Sequence, residues 1–163
     1  MKRAFQFLIV TVLVAFVGAP ALAGVQVTTC EELTPGTWHY TFFACTPNVN
    51  ADGLIIRLLP SEVGDGEVIV GCSVPAIAGF SCANVADEAT FSFPEIGPFE
   101  CVPDLPGDAN KFALDIMSAD GVTLVEEIWT LGGSVQAGFI SVITCPPVSV
   151  EDSSWGSVKA LYR

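Results

Sequence analysis

Apolar and polar residues alternate most clearly over residues 111–116, where Phe112, Leu114 and Ile116 take one side and Lys111, Ala113 and Asp115 the other. That is the period of two that buries one face of a β-strand. From residue 111 to 145 the pattern predicts three antiparallel strands joined by two tight turns. Asp120-Gly121 and Gly132-Gly133 supply the positive φ values that type I′ turns require. Residues 37–43 set Trp38, Tyr40 and Phe42 against Thr37, His39, Thr41 and Phe43, a half-buried strand with Trp38 on its core face. Pro35-Gly36 turns into it, and residues 25–29 are its expected first partner. Residues 54–59 form an apolar run broken by Arg57 and followed by Pro60, as in a strand buried on both faces for part of its length. Residues 67–72 and 89–93 follow, the latter with Ala89, Phe91 and Phe93 on one face. The sum is an all-β fold, an antiparallel sandwich of about eight strands. Residues 94–108, with four prolines and four carboxylates around Cys101, read as a crossover between sheets.

The first 23 residues follow a different pattern. Lys2 and Arg3 precede an apolar run over residues 7–19, then Pro20 and Ala21-Leu22-Ala23. These are the parts of a secretory signal peptide with small residues placed for cleavage before Gly24. The domains expected are therefore a cleaved signal (1–23), a β-sandwich (24–145) and a linker with a sorting or docking tail (146–163). Membrane contact is expected only through an uncleaved signal. Cys30 follows Val27-Thr28-Thr29 and lacks the small residue that precedes a lipoprotein cysteine.

Export changes the reading of the cysteines. Cys30, Cys45, Cys72, Cys82, Cys101 and Cys145 all lie beyond residue 23, and an even count in an exported chain predicts up to three disulfides. Fifteen complete pairings are open on sequence alone. Cys72 with Cys82 is favoured first, because the two flank a short loop containing Pro75 and Gly79. With a single histidine and no Cys-x-x-Cys, redox and zinc chemistry are set aside.

Eighteen carboxylates and four basic residues (Arg57, Lys111, Lys159, Arg163) remain after cleavage, taking the formal charge from −12 to −14. Such a surface repels polyanions, which excludes nucleic acid as a partner.

Several patterns are candidates for chemistry. Asn48, Asn50 and Asp52, at alternate positions before Gly53 with Ile55 beyond, imitate the front of an EF-hand calcium loop. The bidentate Glu of that loop is replaced by Leu59. The rival reading is a plain Asp-Gly turn, and calcium is the one cofactor considered. Trp38, Tyr40 and Trp129 could stack on sugar rings if exposed, or fill the core if not. Glu126-Glu127-Ile128-Trp129 breaks the alternation and sets Trp129 on the face of Glu127. His39 falls opposite Trp38 and Tyr40, and no Gly-x-Ser-x-Gly accompanies it. The carboxylate pairs Glu31-Glu32, Asp87-Glu88 and Glu126-Glu127 are adjacent in sequence, so their members point to opposite faces of a strand and form no glycosidase pair. No catalytic residue is assigned.

In the tail, Trp155, Val158, Leu161 and Tyr162 fall on one helical face, with Lys159 and Arg163 toward its C-terminal end. Nine residues are too few to hold a helix alone in water, so this segment needs a partner. Trp155-Gly156-x-Val158-Lys159-x-Leu161-Tyr162-Arg163 resembles an ending found on otherwise dissimilar signal-bearing bacterial proteins. The resemblance implies a sorting or attachment tag engaging a protein partner or the envelope sorting machinery. The body resembles the Ig-like or fibronectin-like sandwiches of exported bacterial proteins, which implies architecture and not activity. The expected function is that of an exported, non-enzymatic structural, adhesive or assembly protein of the cell envelope or matrix. The alternative is a glycan- or calcium-binding module.

Overall fold

A computed structural model describes residues 23–60 and 66–145; the signal segment before Ala23 and the tail from Pro146 lie outside the described residues. The described residues form ten strands: β1 Gly24–Thr34, β2 Thr37–Cys45, β3 Ala51–Leu58, β4 Val68–Ser73, β5 Ser81–Val85, β6 Glu88–Ile96, β7 Cys101–Val102, β8 Phe112–Met117, β9 Val122–Leu131 and β10 Ser134–Thr144. They make two antiparallel sheets packed as a sandwich, in the orders β1-β2-β8-β4, with β7 also paired to β2, and β10-β9-β3-β6-β5.

The predicted alternation supplies both inner faces. Tyr40 and Phe42 from β2 and Phe112, Leu114 and Ile116 from β8 are fully buried, and meet Leu54, Ile56, Phe91 and Trp129 from the second sheet. Phe112 is the centre of an aromatic cluster, its ring centroid 5.0 Å from Phe91, 5.7 Å from Phe42 and 5.9 Å from Phe93. Such contacts stabilise beyond the area they bury.

One expectation is corrected. The segment 111–145 is not a three-stranded meander, because β8 pairs with β2 and β4 in one sheet while β9 pairs with β10 and β3 in the other. The Asp120-Gly121 turn is an arch between layers. Gly121 has φ 70°, and a Cβ there would sit 2.9 Å from the Trp38 ring. Trp38 is accordingly half-buried over this arch rather than in the core, its indole N–H donating to the Ser118 carbonyl at 3.1 Å. Period two states which side of a strand is buried, and an arch and a hairpin satisfy it equally. The β9–β10 hairpin is as expected, and so is the β1–β2 hairpin closed through Gly36 at φ 80°. Residues 94–108 do cross between layers, from β6 in one sheet to β7 in the other.

All six cysteines pair: Cys30–Cys145, Cys45–Cys101 and Cys72–Cys82. Their positions follow the architecture. The edge strands of the two sheets face each other at two seams, β1 against β10 and β4 against β5. Cys30–Cys145 ties the first, from β1 to the residue after β10, and Cys72–Cys82 ties the second, from β4 to β5. Cys45–Cys101 fastens the two-residue β7 to β2, in register. Edge strands expose unpaired backbone groups that invite edge-to-edge association, and covalently closed seams remove much of that liability.

Candidate functional site

The outer face of the first sheet carries the most concentrated polar chemistry. Antiparallel register places Glu31 of β1 beside His39 of β2, His39 beside Asp115 of β8, and Asp115 beside Gly71 of β4. His39 Nδ1 lies 2.6 Å from Asp115 Oδ1, and both side chains are about a third exposed or less, at 28% and 32%. In the tautomer with Nδ1–H donating to the carboxylate, Nε2 is left as a hydrogen-bond acceptor. Gly71 makes room for this pair: a Cβ there would lie 2.7 Å from Asp115 Oδ2.

The adjacent row is built of hydroxyls. The register slips between Val27 and Thr29, so that Thr28 and Thr29 together face Thr41, as a β-bulge does. The Thr28 hydroxyl donates to the Thr41 carbonyl at 3.1 Å and lies 2.9 Å from the Thr41 hydroxyl, which also bonds that of Thr29. Asp108 Oδ1, 3.3 Å from the Thr28 hydroxyl, is an alternative acceptor for its single proton. The two rows and the Asp108–Asn110 turn enclose an open groove of about 450 Å³ lined by Glu31, His39, Thr41, Ser73 and Asp108.

This groove offers hydrogen-bond donors and acceptors. An acyl-transfer site needs in addition a nucleophile hydroxyl on the histidine. Among the described residues, the hydrogen bond of His39 is the one to Asp115, and the Thr41 hydroxyl is held by its threonine neighbours. The sequence placed His39 on the outer face, as found. Its partner lies 76 positions away in the chain and leaves no local signal.

The calcium-like residues are separated by their partners. Asp52 accepts the Gly132 backbone N–H with both carboxylate oxygens, at 3.1 and 3.0 Å, and so holds the β9–β10 turn. Asn50 donates to Glu95 Oε1 at 2.9 Å, and Asn48 is exposed. Among the described residues, no three His, Cys, Asp or Glu side chains converge as a metal site. Of the aromatic residues considered for sugar stacking, Tyr40 and Trp129 are fully buried. Burial, reinforced by Glu67 and Asp120, raises the Tyr40 phenol well above its ordinary value, so it stays neutral. The tail residues Trp155, Val158, Lys159, Leu161, Tyr162 and Arg163 lie outside the described residues.

Glu126 and Glu127 take opposite faces of β9, as adjacent strand residues must. Glu126 joins Glu88 in flanking Arg57 on the outer face of the second sheet. Arg57 donates through Nε and Nη2 to Glu88, at 2.9 and 2.8 Å, and through Nη1 to Glu126 at 3.2 Å. The Glu88 hydrogen bonds hold the guanidinium above its ordinary pKa. Glu127 points inward with Trp129, and both are fully buried. Its Oε2 accepts the Val25 N–H at 3.0 Å and its Oε1 accepts the Ser141 hydroxyl. Burial pushes this carboxyl above the ordinary carboxylate range, against the opposing pull of those two donors. Among the described residues no cation pairs with it. A carboxylate amid core residues was the least legible functional group in the sequence, since its nearest backbone donor is 102 positions away. Comparison of the chain with protein families, with curated proteins and with solved structures finds no match.

Proposed function

We propose that this protein is an exported, non-enzymatic structural, adhesive or assembly subunit of the cell envelope or extracellular matrix, with its tail engaging a partner. The observation that carries the reading is the cross-linking pattern. Every cysteine is used, and two of the three bridges tie one sheet to the other at the two seams. Disulfides persist in oxidising compartments, and such stapling favours endurance outside the cell over the mobility many catalytic sites need. No helix among the described residues is long and apolar enough to cross a membrane. The signal-like residues 1–23 and the tag-like residues 155–163 give this body an address at each end. The test is deletion of residues 146–163 followed by fractionation of cells and medium. A changed destination is expected, and an unchanged one refutes the tag reading.

A second reading, a glycan-binding module, is favoured by the groove lined by Glu31, His39, Thr41 and Asp108, whose donors and acceptors suit sugar hydroxyls and whose His39 ring is held by Asp115 from beside it. Retention on insoluble polysaccharide that is lost in Asp115→Ala would support it, and absence of retention by the native protein would remove it. A calcium role for Asn48, Asn50 and Asp52 would show as a rise in melting temperature on titration with millimolar calcium.

A further inference from the structure

Glu127 is a fully buried carboxylate beside the strand that begins at Gly24, and Gly24 is the residue that signal cleavage would make the first of the mature chain. We infer that processing between Ala23 and Gly24 delivers an α-ammonium group to Glu127, so that removal of the leader completes the β1–β10 seam with an ion pair. This rests on the export reading and goes beyond it.

The geometry is specific. The Val25 nitrogen is already 3.0 Å from Glu127 Oε2. A Cβ on Gly24 would lie 3.1 Å from that same oxygen. Standard bond lengths place the Gly24 nitrogen ~2.5 Å from its own Cβ position, hence within about 5.6 Å of Oε2. In the uncut chain this nitrogen is a peptide N–H. After cleavage it is a cation on a residue that has only its ψ rotation to adjust, and an opposite charge at this range favours the ionised carboxylate.

The same geometry accounts for glycine at this position. Gly24 is buried with φ 106°, and any Cβ would press on Phe139 Cε2 at 3.0 Å as well as on Glu127. Small residues at positions 21 and 23 serve the peptidase; the glycine after them serves the fold.

The residues facing Glu127 are Val25 from β1, Phe139 and Ser141 from β10, Ile56 opposite it on β3, and Val125 and Trp129 on β9 itself. None of these side chains titrates in the accessible range. The Arg57 cluster belongs to the outer face of the same sheet. The new terminus is therefore the charge that reaches this carboxylate, and burial without such a partner penalises its ionised form.

The experiment uses the oxidised mature chain 24–163, released from a fusion by a protease that leaves Gly24 first, alongside the same chain N-acetylated. The free-amine form is expected to melt about 5 °C higher at pH 6.5, and the difference is expected to vanish in Glu127→Gln. The amide in that variant keeps both hydrogen bonds, its carbonyl accepting from Val25 and its NH₂ donating to the Ser141 oxygen. NMR titration of the Gly24 α-amine gives a readout that general destabilisation would not move. The amine is expected to titrate about one unit above the usual value of about 8. A raised amine pKa makes this stabilisation complete below pH ~8 and lost as pH climbs through the raised value.

Equal melting of the two forms, a difference that survives in Glu127→Gln, or an amine titrating at its ordinary value would each overturn the inference. The titration needs no variant, so it decides the matter even where Glu127→Gln fails to fold. Mass spectrometry of exported protein separates the two readings. A terminus at Gly24 supports both, an exported chain beginning elsewhere overturns the ion pair alone, and an uncleaved precursor confined to the cytoplasm overturns both.

Discussion

The two seam disulfides differ in how much of the unfolded chain they restrain, and this gives a quantitative prediction. Cys72–Cys82 spans 10 residues, Cys45–Cys101 spans 56 and Cys30–Cys145 spans 115. The first lies within the second and the second within the third, so each outer loop is shortened by the bridge inside it. With Cys45–Cys101 in place, the loop newly closed by Cys30–Cys145 is about 60 residues, namely 15 up to Cys45 and 44 beyond Cys101. In the chain-entropy relation a 10-residue loop corresponds to about 2.7 kcal/mol at 25 °C and a 60-residue loop to about 4.3 kcal/mol. The double variant Cys30→Ala/Cys145→Ala should therefore lose about 1.5 kcal/mol more than Cys72→Ala/Cys82→Ala. Cys145 is buried too, at 9% exposure against 1% for Cys45, so its truncation adds a packing loss in the same direction, and that of Cys45 would add a larger one. Guanidinium unfolding under oxidising conditions, with slope and midpoint fitted separately, measures the difference. Equal losses, or a larger loss at the short loop, would refute the argument and locate the stabilisation in native contacts instead.

The other predictions concern single side chains. Phe112→Ala removes the ring at the centre of the aromatic cluster, fully buried in the native protein, and should cost about 3–5 kcal/mol in denaturant unfolding. Arg57→Ala should cost only about 0.5–1 kcal/mol, because its guanidinium is 41% exposed and such pairs are solvent-screened. The cost should fall further in ~1 M salt, where the screening length is about 3 Å. In the N-acetylated mature chain, where no terminal cation is available, the raised Glu127 pKa means the folded state holds a proton the unfolded state has released. Stability should decline as pH rises from the ordinary carboxyl value of 4.5 through the raised one and level off beyond it. Glu127→Gln should abolish that decline, as pH-dependent melting would show. Gly71→Ala should lower stability by about 1 kcal/mol and shift the His39 ring resonances, since its Cβ would press on the carboxylate that holds His39.

What could be read in the chain was whatever depends on near neighbours. Tyr40 and Phe42, Phe91 and Phe93, and Phe112, Leu114 and Ile116 alternate because each strand has one dry side, and all are buried as their period requires. The even cysteine count foretold bridging, and the Cys72–Cys82 pair followed from its short loop. What escaped was set by distant pairing. β5 is an edge strand with Ser81, Ala83, Asn84 and Val85 exposed, so it has no apolar alternation to announce it. β7 is two residues long and owes its place to Cys45 and to its register with β2. The Asp120-Gly121 arch looks like a hairpin until the partners of β8 and β9 are known. His39 and Asp115, like Glu127 and Val25, meet only because the sheets close, and no window of sequence contains both members of either pair.

The Cys30–Cys145 bridge sits almost at the ends of the described residues, and this decides how they would carry tension. Pull between Gly24 and Cys145, and force enters through the first residues of β1, crosses the sulfur–sulfur link and leaves at Cys145. The whole stretch between the two cysteines, which stand 115 positions apart, is bypassed and stays slack. Were that link alone reduced, the same pull would unravel the 15 residues up to Cys45 and the 44 beyond Cys101, with Cys45–Cys101 still bypassing the rest, and would lengthen the tether by about 200 Å at full extension. Intact, the body behaves as an almost inextensible ring in the line of force, whatever strain its sheets could bear by themselves.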